Sequence, residues 1–245
     1  MRLLGKLTVV ELKLFLREPL TVLFSLALPL ILVLILGGVF GNEADPEFYR
    51  GAGPMNFYVP AYVALVTASI GLISVPVHVA ENRERGVLRR FQASGVPVWA
   101  FAGAEIVVSV LIAAVSCVVL VAVAVPIYDF AGPDSILIVL GAFVLSAVMF
   151  STLGVMLGAI LPTARAAQAL GILLWFVMLL LGGAGPPPEV LSGAMKFVSD
   201  VLPLTHAVAI VQRGWISSDP GWSPLVVIGV LVGAAAVTLR FFRWE

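Results

Sequence analysis

SILIVLGAFVLSAVMFSTLGVMLGAILPTA, residues 135–164, runs for 30 residues without a Lys, Arg, Asp or Glu. A straight helix of that length reaches about 45 Å, more than the ~30 Å of hydrocarbon in a bilayer. Only a helix satisfies all of its own backbone polar groups in lipid, and the run lacks the strict alternation of a barrel strand. Five further stretches share its character: residues 19–42, 51–80, 106–128, 166–188 and 220–239, each at least 20 residues long. The whole chain of 245 residues is 61% hydrophobic and 11% charged, whereas a soluble domain carries about 25% charged residues. The reading is an all-α integral membrane protein in one domain, 1–245, with six transmembrane helices over approximately 20–41, 58–80, 104–127, 136–161, 166–187 and 222–240. The first apolar stretch is too long for a signal-peptide core, and no small-x-small cleavage site follows Phe40, so it is expected to be a retained helix.

The 14 basic residues set the orientation. Eleven of them fall on one side of such a bundle: Arg2, Lys6, Lys13, Arg17, Arg83, Arg85, Arg89, Arg90, Arg165, Arg240 and Arg243. The other side holds Arg50, Lys196 and Arg213. By the positive-inside rule both termini are expected to be cytoplasmic. A net charge of zero argues against a nucleic-acid partner. The lone Cys117 leaves no partner for an intrachain disulfide or a thiolate metal cluster.

Two segments are neither spans nor plain loops. Over residues 1–18, Arg2, Lys6, Lys13 and Arg17 fall within about 60° of helix circumference beside a stripe of Leu3, Leu7, Val10 and Leu14. An interfacial helix suits that pattern; so does a helix with a second face buried against protein. Residues 189–219 hold Val190, Leu191, Met195, Phe197, Val198, Val201 and Leu202, which suits one or two short helices dipping into the outer interface. Before them Gly182, Gly183 and Gly185 precede Pro186-Pro187-Pro188, a composition that must break the fifth helix. This is either a gate hinge or a helix end.

Catalytic machinery is hard to find. No G-x-x-x-x-G-K-[ST], H-E-x-x-H or G-x-S-x-G occurs, and there are two histidines. His78 and Glu81 share i, i+3 spacing but lack a third ligand in the sequence, so hydrogen bonding at the membrane edge is the expected role. The spans are almost free of ionisable groups, Glu105 at the start of the third being the nearest. A proton- or ion-coupled carrier normally keeps such a group near the midplane. Energy for uphill movement is therefore expected to enter from outside the membrane. The cytoplasmic loop Glu81-Asn-Arg-Glu-Arg-Gly-Val-Leu-Arg-Arg-Phe91 carries six charges between Glu81 and Arg90, with Val87, Leu88 and Phe91 at helical spacing. It reads equally as a short helix gripped by a partner's groove, apolar residues in the pocket and arginines at the rim, or as a solvated loop whose arginines only set topology.

ENRERGVLRRFQASGVPVWAFAGAEI, residues 81–106, resembles the loop after the second span of type-2 ATP-binding-cassette (ABC) export permeases, where an E-R-x-x-G-T-L-like stretch forms the coupling helix. Residues 6–41, with Pro29, are similar to that family's elbow helix and first span, and residues 179–215 to its re-entrant outer helix pair with Pro-Leu-Thr-His. The combined match covers nearly the whole chain. Val87 stands where a threonine is common, and Ser94-Gly95 replaces a frequent Thr-Pro or Ser-Pro pair. The resemblance implies that Glu81, Glu84, Arg85, Gly86, Val87, Leu88 and Arg89 form the ATPase-coupling helix. It implies an outer gate of Gly182, Gly183, Pro203, Leu204, Thr205 and His206. No catalytic, cofactor or metal residue is expected on this chain, with ATP and magnesium on a partner. The expected partners are two cytoplasmic ABC ATPase subunits, a second permease copy or paralogue, and membrane lipid.

Phe24, Phe57, Tyr58, Tyr62, Trp175 and Phe176 are the candidate pathway lining, and they equally suit an interfacial belt. An apolar wall favours a lipid-like or drug-like amphiphile; a polysaccharide exporter and a non-transporting scaffold are the alternatives. Richness in Ala, Val and Gly points to a GC-rich bacterium and so to a bacterial cytoplasmic membrane. Gly37/Gly41, Gly154/Gly158 and Gly229/Gly233 each form a G-x-x-x-G pair, suited to close helix packing within the chain or at a dimer seam.

Overall fold

The computed structural model of the chain describes residues 27–40, 43, 53–128, 132–216 and 221–241. These residues form α1 (Leu28–Phe40), α2 (Pro54–Ser69), a π-helical turn (Ile70–Ser74), α3 (Val75–Glu84), α4 (Val87–Ala93) and α5 (Val98–Tyr128). They continue through α6 (Ile136–Ile160), α7 (Ala164–Leu181), a 3₁₀ turn (Pro188–Val190), α8 (Gly193–Val201), α9 (Pro203–Ile216) and α10 (Ser223–Phe241). Five of the resulting helices are long and apolar enough to cross a membrane: Pro54–Glu84, Val98–Tyr128, Ile136–Ile160, Ala164–Leu181 and Ser223–Arg240. The pair α8 and α9, bent by 75°, makes a sixth if counted as one broken span. Of the expected first span, α1 is the described part; the 1–18 interfacial helix and Phe24 lie outside the described residues.

Two boundaries differ from the sequence expectation for identifiable reasons. The second span starts at Pro54 and not near 58, with a proline at the first helical position where its missing N–H costs nothing. The fifth ends at Leu181, and residues 182–187 are not helical. There Gly183 turns at φ +82° ahead of the three prolines.

The second span is the centre of the bundle. Every residue from 57 to 76 is buried, because α1, α5, α6, α7 and α9 pack around it. Pro76 offers no N–H to the carbonyl of Leu72, and the turn before it opens to π geometry, with Val75 N–H bonding Ile70 O. The carbonyls of this stretch lie against glycines of its neighbours. A Cβ on Gly171 of α7 would collide with the carbonyl oxygen of Leu72, and one on Gly154 of α6 with that of Gly71. A Cβ on Gly158 would come within 2.7 Å of both Pro76 O and Val79 Cβ. Hydrogen bonds reinforce this centre. Trp175 Nε1–H donates to Ser69 Oγ at 2.7 Å, and Gln212 Nε2 donates to Phe57 O at 3.1 Å.

Exposed apolar stripes surround this centre: Val107, Leu111, Val115 and Val118 along α5, and Leu225, Ile228 and Val232 along α10. The two glycine pairs on α6 and α10 look alike in sequence but differ here, since nothing lies within 4 Å of a Cβ on Gly229 or Gly233. Gly154→Ala is therefore expected to destabilise the protein by about 1–3 kcal/mol through overpacking. Gly229→Ala should be neutral or slightly stabilising within the single chain. Thermal unfolding of the two variants in nanodiscs checks this; equal midpoints would refute the difference.

Candidate functional site

The chain's connectivity brings Arg83, Arg85, Arg89, Arg90 and Arg165 to one end of the bundle. There the second span turns into α4 through Arg85 and Gly86. Gly86 adopts φ +68°, the left-handed conformation that ends a helix at least cost with glycine. Its N–H bonds Arg83 O at 2.9 Å, while that of Arg85 bonds Glu81 O at 2.9 Å. Gly95 closes α4 in the same way at φ +72°, and Ser94 Oγ–H bonds Arg90 O at 2.9 Å. Two left-handed turns thus set off a helix of 7 residues lying between α3 and α5.

Side chains on α4 divide cleanly. Leu88 is 1% exposed and belongs to the main core. Phe91 packs on Phe101 of α5 with ring centroids 6.1 Å apart. Arg89, Arg90 and Gln92 are exposed. Arg85 pairs with Glu81 at 2.7 Å and keeps 71% of its side chain exposed. Of the two readings of this loop, the one in which its apolar residues fill a partner's pocket does not fit Leu88, and Phe91 is partly buried against Phe101. They hold α4 onto its own bundle, and the outward surface is basic.

Arg83, partly buried, and Glu84, which stays exposed, bond to the connection between α6 and α7. Arg83 Nη1 donates to Ala159 O at 2.9 Å, and Nη2 donates to Leu161 O, both at the C-terminal end of α6. Glu84 Oε1 accepts the backbone N–H of Ala164, the first residue of α7, at 2.8 Å. Thr163 caps α7 through Ala166 N–H at 3.1 Å. Earlier on α3, His78 Nδ1 sits 3.1 Å from Glu105 Oε1 and 3.3 Å from Oε2. Both residues are almost wholly buried, His78 at 4% exposure and Glu105 at 1%. His78 thus faces Glu105 of α5, while Glu81 faces Arg85. Arg83 was not among the expected coupling residues, and nothing local signals its role, since its partners are 76 and 78 residues further along the chain.

At the opposite end the expected gate residues do come together. Thr205 Oγ1–H bonds Ser199 O at 2.5 Å, and His206 Nε2–H bonds Asp200 O at 2.9 Å. These carbonyls belong to the last turn of α8, where helical partners run out. With Pro203 starting α9, the Pro-Leu-Thr-His stretch is what holds the bend between the two helices. Leu204 is fully buried, and a Cβ on Gly182 would come within 3.0 Å of it. The His206 ring meets that of Trp222 edge-on at 5.0 Å.

The aromatic residues expected along a pathway are mostly core. Phe57, Tyr58, Tyr62 and Trp175 are each at most 4% exposed. Phe57 meets Tyr58 edge-on at 5.3 Å, and Tyr58 stacks on Tyr62 at 6.0 Å. Their burial follows from the central place of the second span, which its composition does not distinguish from the other spans. Phe176 is 51% exposed, on the outward face of α7 with Leu173 and Leu180.

A search of the curated proteins finds no match to the chain. The family model of the ABC-2 type transporter matches residues 2–214, a range that runs from before α1 into the last turn of α9. With that match over most of its length and a bundle of apolar helices to carry it, the chain belongs to the ABC-2 type transporter family and is a multi-pass membrane permease component of an ABC transporter.

Proposed function

We propose that this chain is the transmembrane subunit of an ATP-driven exporter whose α4 receives the motion of a separate cytoplasmic ATPase. The carrying observation is a short helix fastened to the bundle by Leu88 and Phe91, with Arg85, Arg89 and Arg90 directed outward. Guanidinium groups so displayed suit carboxylates or backbone carbonyls at the rim of a partner's groove. The end bearing them is cytoplasmic by the positive-inside rule, in a bacterial cytoplasmic membrane. ATP and magnesium are held by the partner, not by this chain. Two ATPase subunits act on two permease chains, the second a copy or paralogue, and ATP-driven closure rocks the two halves about the path between them. Thr205 and His206 hold the outer helix pair that closes the far mouth.

The substrate is a lipid-like or drug-like amphiphile. Leu173, Phe176 and Leu180 supply an exposed apolar stripe on α7, which suits an apolar solute better than a charged polymer. The test is co-purification of the tagged chain from its native membrane in mild detergent, with mass spectrometry of bound proteins. A P-loop ATPase at equal stoichiometry with the wild type, reduced at least about tenfold by Arg89→Glu with Arg90→Glu, is the expected result. A folded chain that brings down no ATPase would favour the scaffold reading instead.

A further inference from the structure

We infer that Arg83 and Glu84 are positioning residues that lock the end of α3, two residues before α4, to the turn between α6 and α7, so that a push on α4 is delivered to the fourth and fifth apolar runs of the chain. This rests on the reading of α4 as the ATPase-receiving helix.

The geometry supports the lock in three ways. First, the bonds run to both sides of one tight connection: Ala159 and Leu161 end α6, Ala164 begins α7, and residues 161–163 alone separate the two helices. Second, the chemistry suits each helix end. The carbonyls ending α6 have lost their helical partners and meet a forked cationic donor, while the N–H groups opening α7 meet a carboxylate. Third, the contact continues inward without a gap, since Gly158 of α6 packs on Pro76 O and Val79 and Gly171 of α7 on Leu72 O. A displacement of α4 therefore drags the α6–α7 turn with it. Arg83 is half-buried and has its guanidinium on carbonyls of its own chain, and one oxygen of Glu84 is likewise bonded within the chain. Docking falls to Arg85, Arg89 and Arg90.

The experiment uses the full chain with its co-purified ATPase in lipid nanodiscs. Spin labels on Ala93→Cys, exposed at the end of α4, and Arg165→Cys, in a Cys117→Ala background, report the distance between α4 and the start of α7. Hydrogen exchange of residues 161–168 reports the bonds themselves. In the wild type the label distance is expected to stay the same between the nucleotide-free and ATP–vanadate-trapped states. Glu84→Ala combined with Arg83→Ala should leave the ATPase stoichiometry unchanged and make exchange of the α7 first turn about tenfold faster. It should also turn the label distance nucleotide-dependent, which mere loss of helix capping would not do. Glu84→Gln and Arg83→Lys keep an acceptor and a donor, and should restore most of the wild-type distance behaviour if the alanine variant fails to fold.

A distance that shifts with nucleotide in the wild type, or stays fixed in the folded alanine variant, overturns the lock. Loss of the ATPase in the clamp variants overturns it differently, by making Arg83 and Glu84 docking residues and leaving the exporter reading intact. A wild-type chain that holds no ATPase overturns the exporter reading itself and the lock with it.

Discussion

His78→Leu is expected to lower unfolding stability by about 3–5 kcal/mol, and adding Glu105→Leu to recover most of that loss. His78 Nδ1 faces both oxygens of Glu105 at 3.1 and 3.3 Å, and both residues are almost wholly buried. Removing the imidazole leaves a carboxyl group without that partner in a site from which water is excluded. Removing both partners takes away the desolvation cost along with the attraction, so two leucines of suitable volume restore an apolar contact. Ser109 Oγ bonds Glu105 backbone O at 2.7 Å and is untouched by the side-chain change. The measurement is a double-mutant cycle of thermal or denaturant unfolding in nanodiscs. Additive losses in the double variant would show that the two side chains act independently, contrary to the pairing described here.

Leu88→Asp should yield almost no folded protein, whereas the neighbouring Arg89→Glu should fold like the wild type. Leu88 is 1% exposed within the main core, so its burial alone is worth about 2–3 kcal/mol. An aspartate there adds several kcal/mol for a carboxylate without a partner, and the sum approaches the total stability of many domains, about 5–15 kcal/mol. Arg89 projects from the surface of the same helix, where substitutions away from specific contacts change stability by about 0.5 kcal/mol or less. Detergent extraction followed by size-exclusion chromatography distinguishes the two. A monodisperse Leu88→Asp protein lacking its ATPase would return Leu88 to the docking surface.

These two expectations mark where sequence reading reached its limit. The apolar runs, the charged loop after the second one and the broken segment before α8 were legible, because each depends on a local excess or absence of charge. Leu88 was legible as an apolar residue on a short helix, but whether it faced a partner or its own chain was not. The same holds for Gly154 and Gly229, which share a motif and differ in whether a neighbouring backbone lies against them. Phe57, Tyr58 and Tyr62 were legible as aromatic and near a membrane edge, but their enclosure follows from five helices packing around the second span.

By itself the sequence determined that this chain crosses a membrane several times as helices, because lipid leaves the backbone of a 20–30-residue apolar run no other way to satisfy its polar groups. It also determined where the charges must collect. Only the tertiary structure decided which span lies at the centre and that Arg83 and Glu84 bind the ends of α6 and α7. It alone likewise set His78 against Glu105 and directed Arg89 and Arg90 outward while Leu88 turned in. The reason is physical: in an apolar chain every helix face is equally soluble in lipid, so hydropathy carries no record of which face meets protein. That choice is made by close backbone approach at glycine and by a few polar groups finding partners far along the chain.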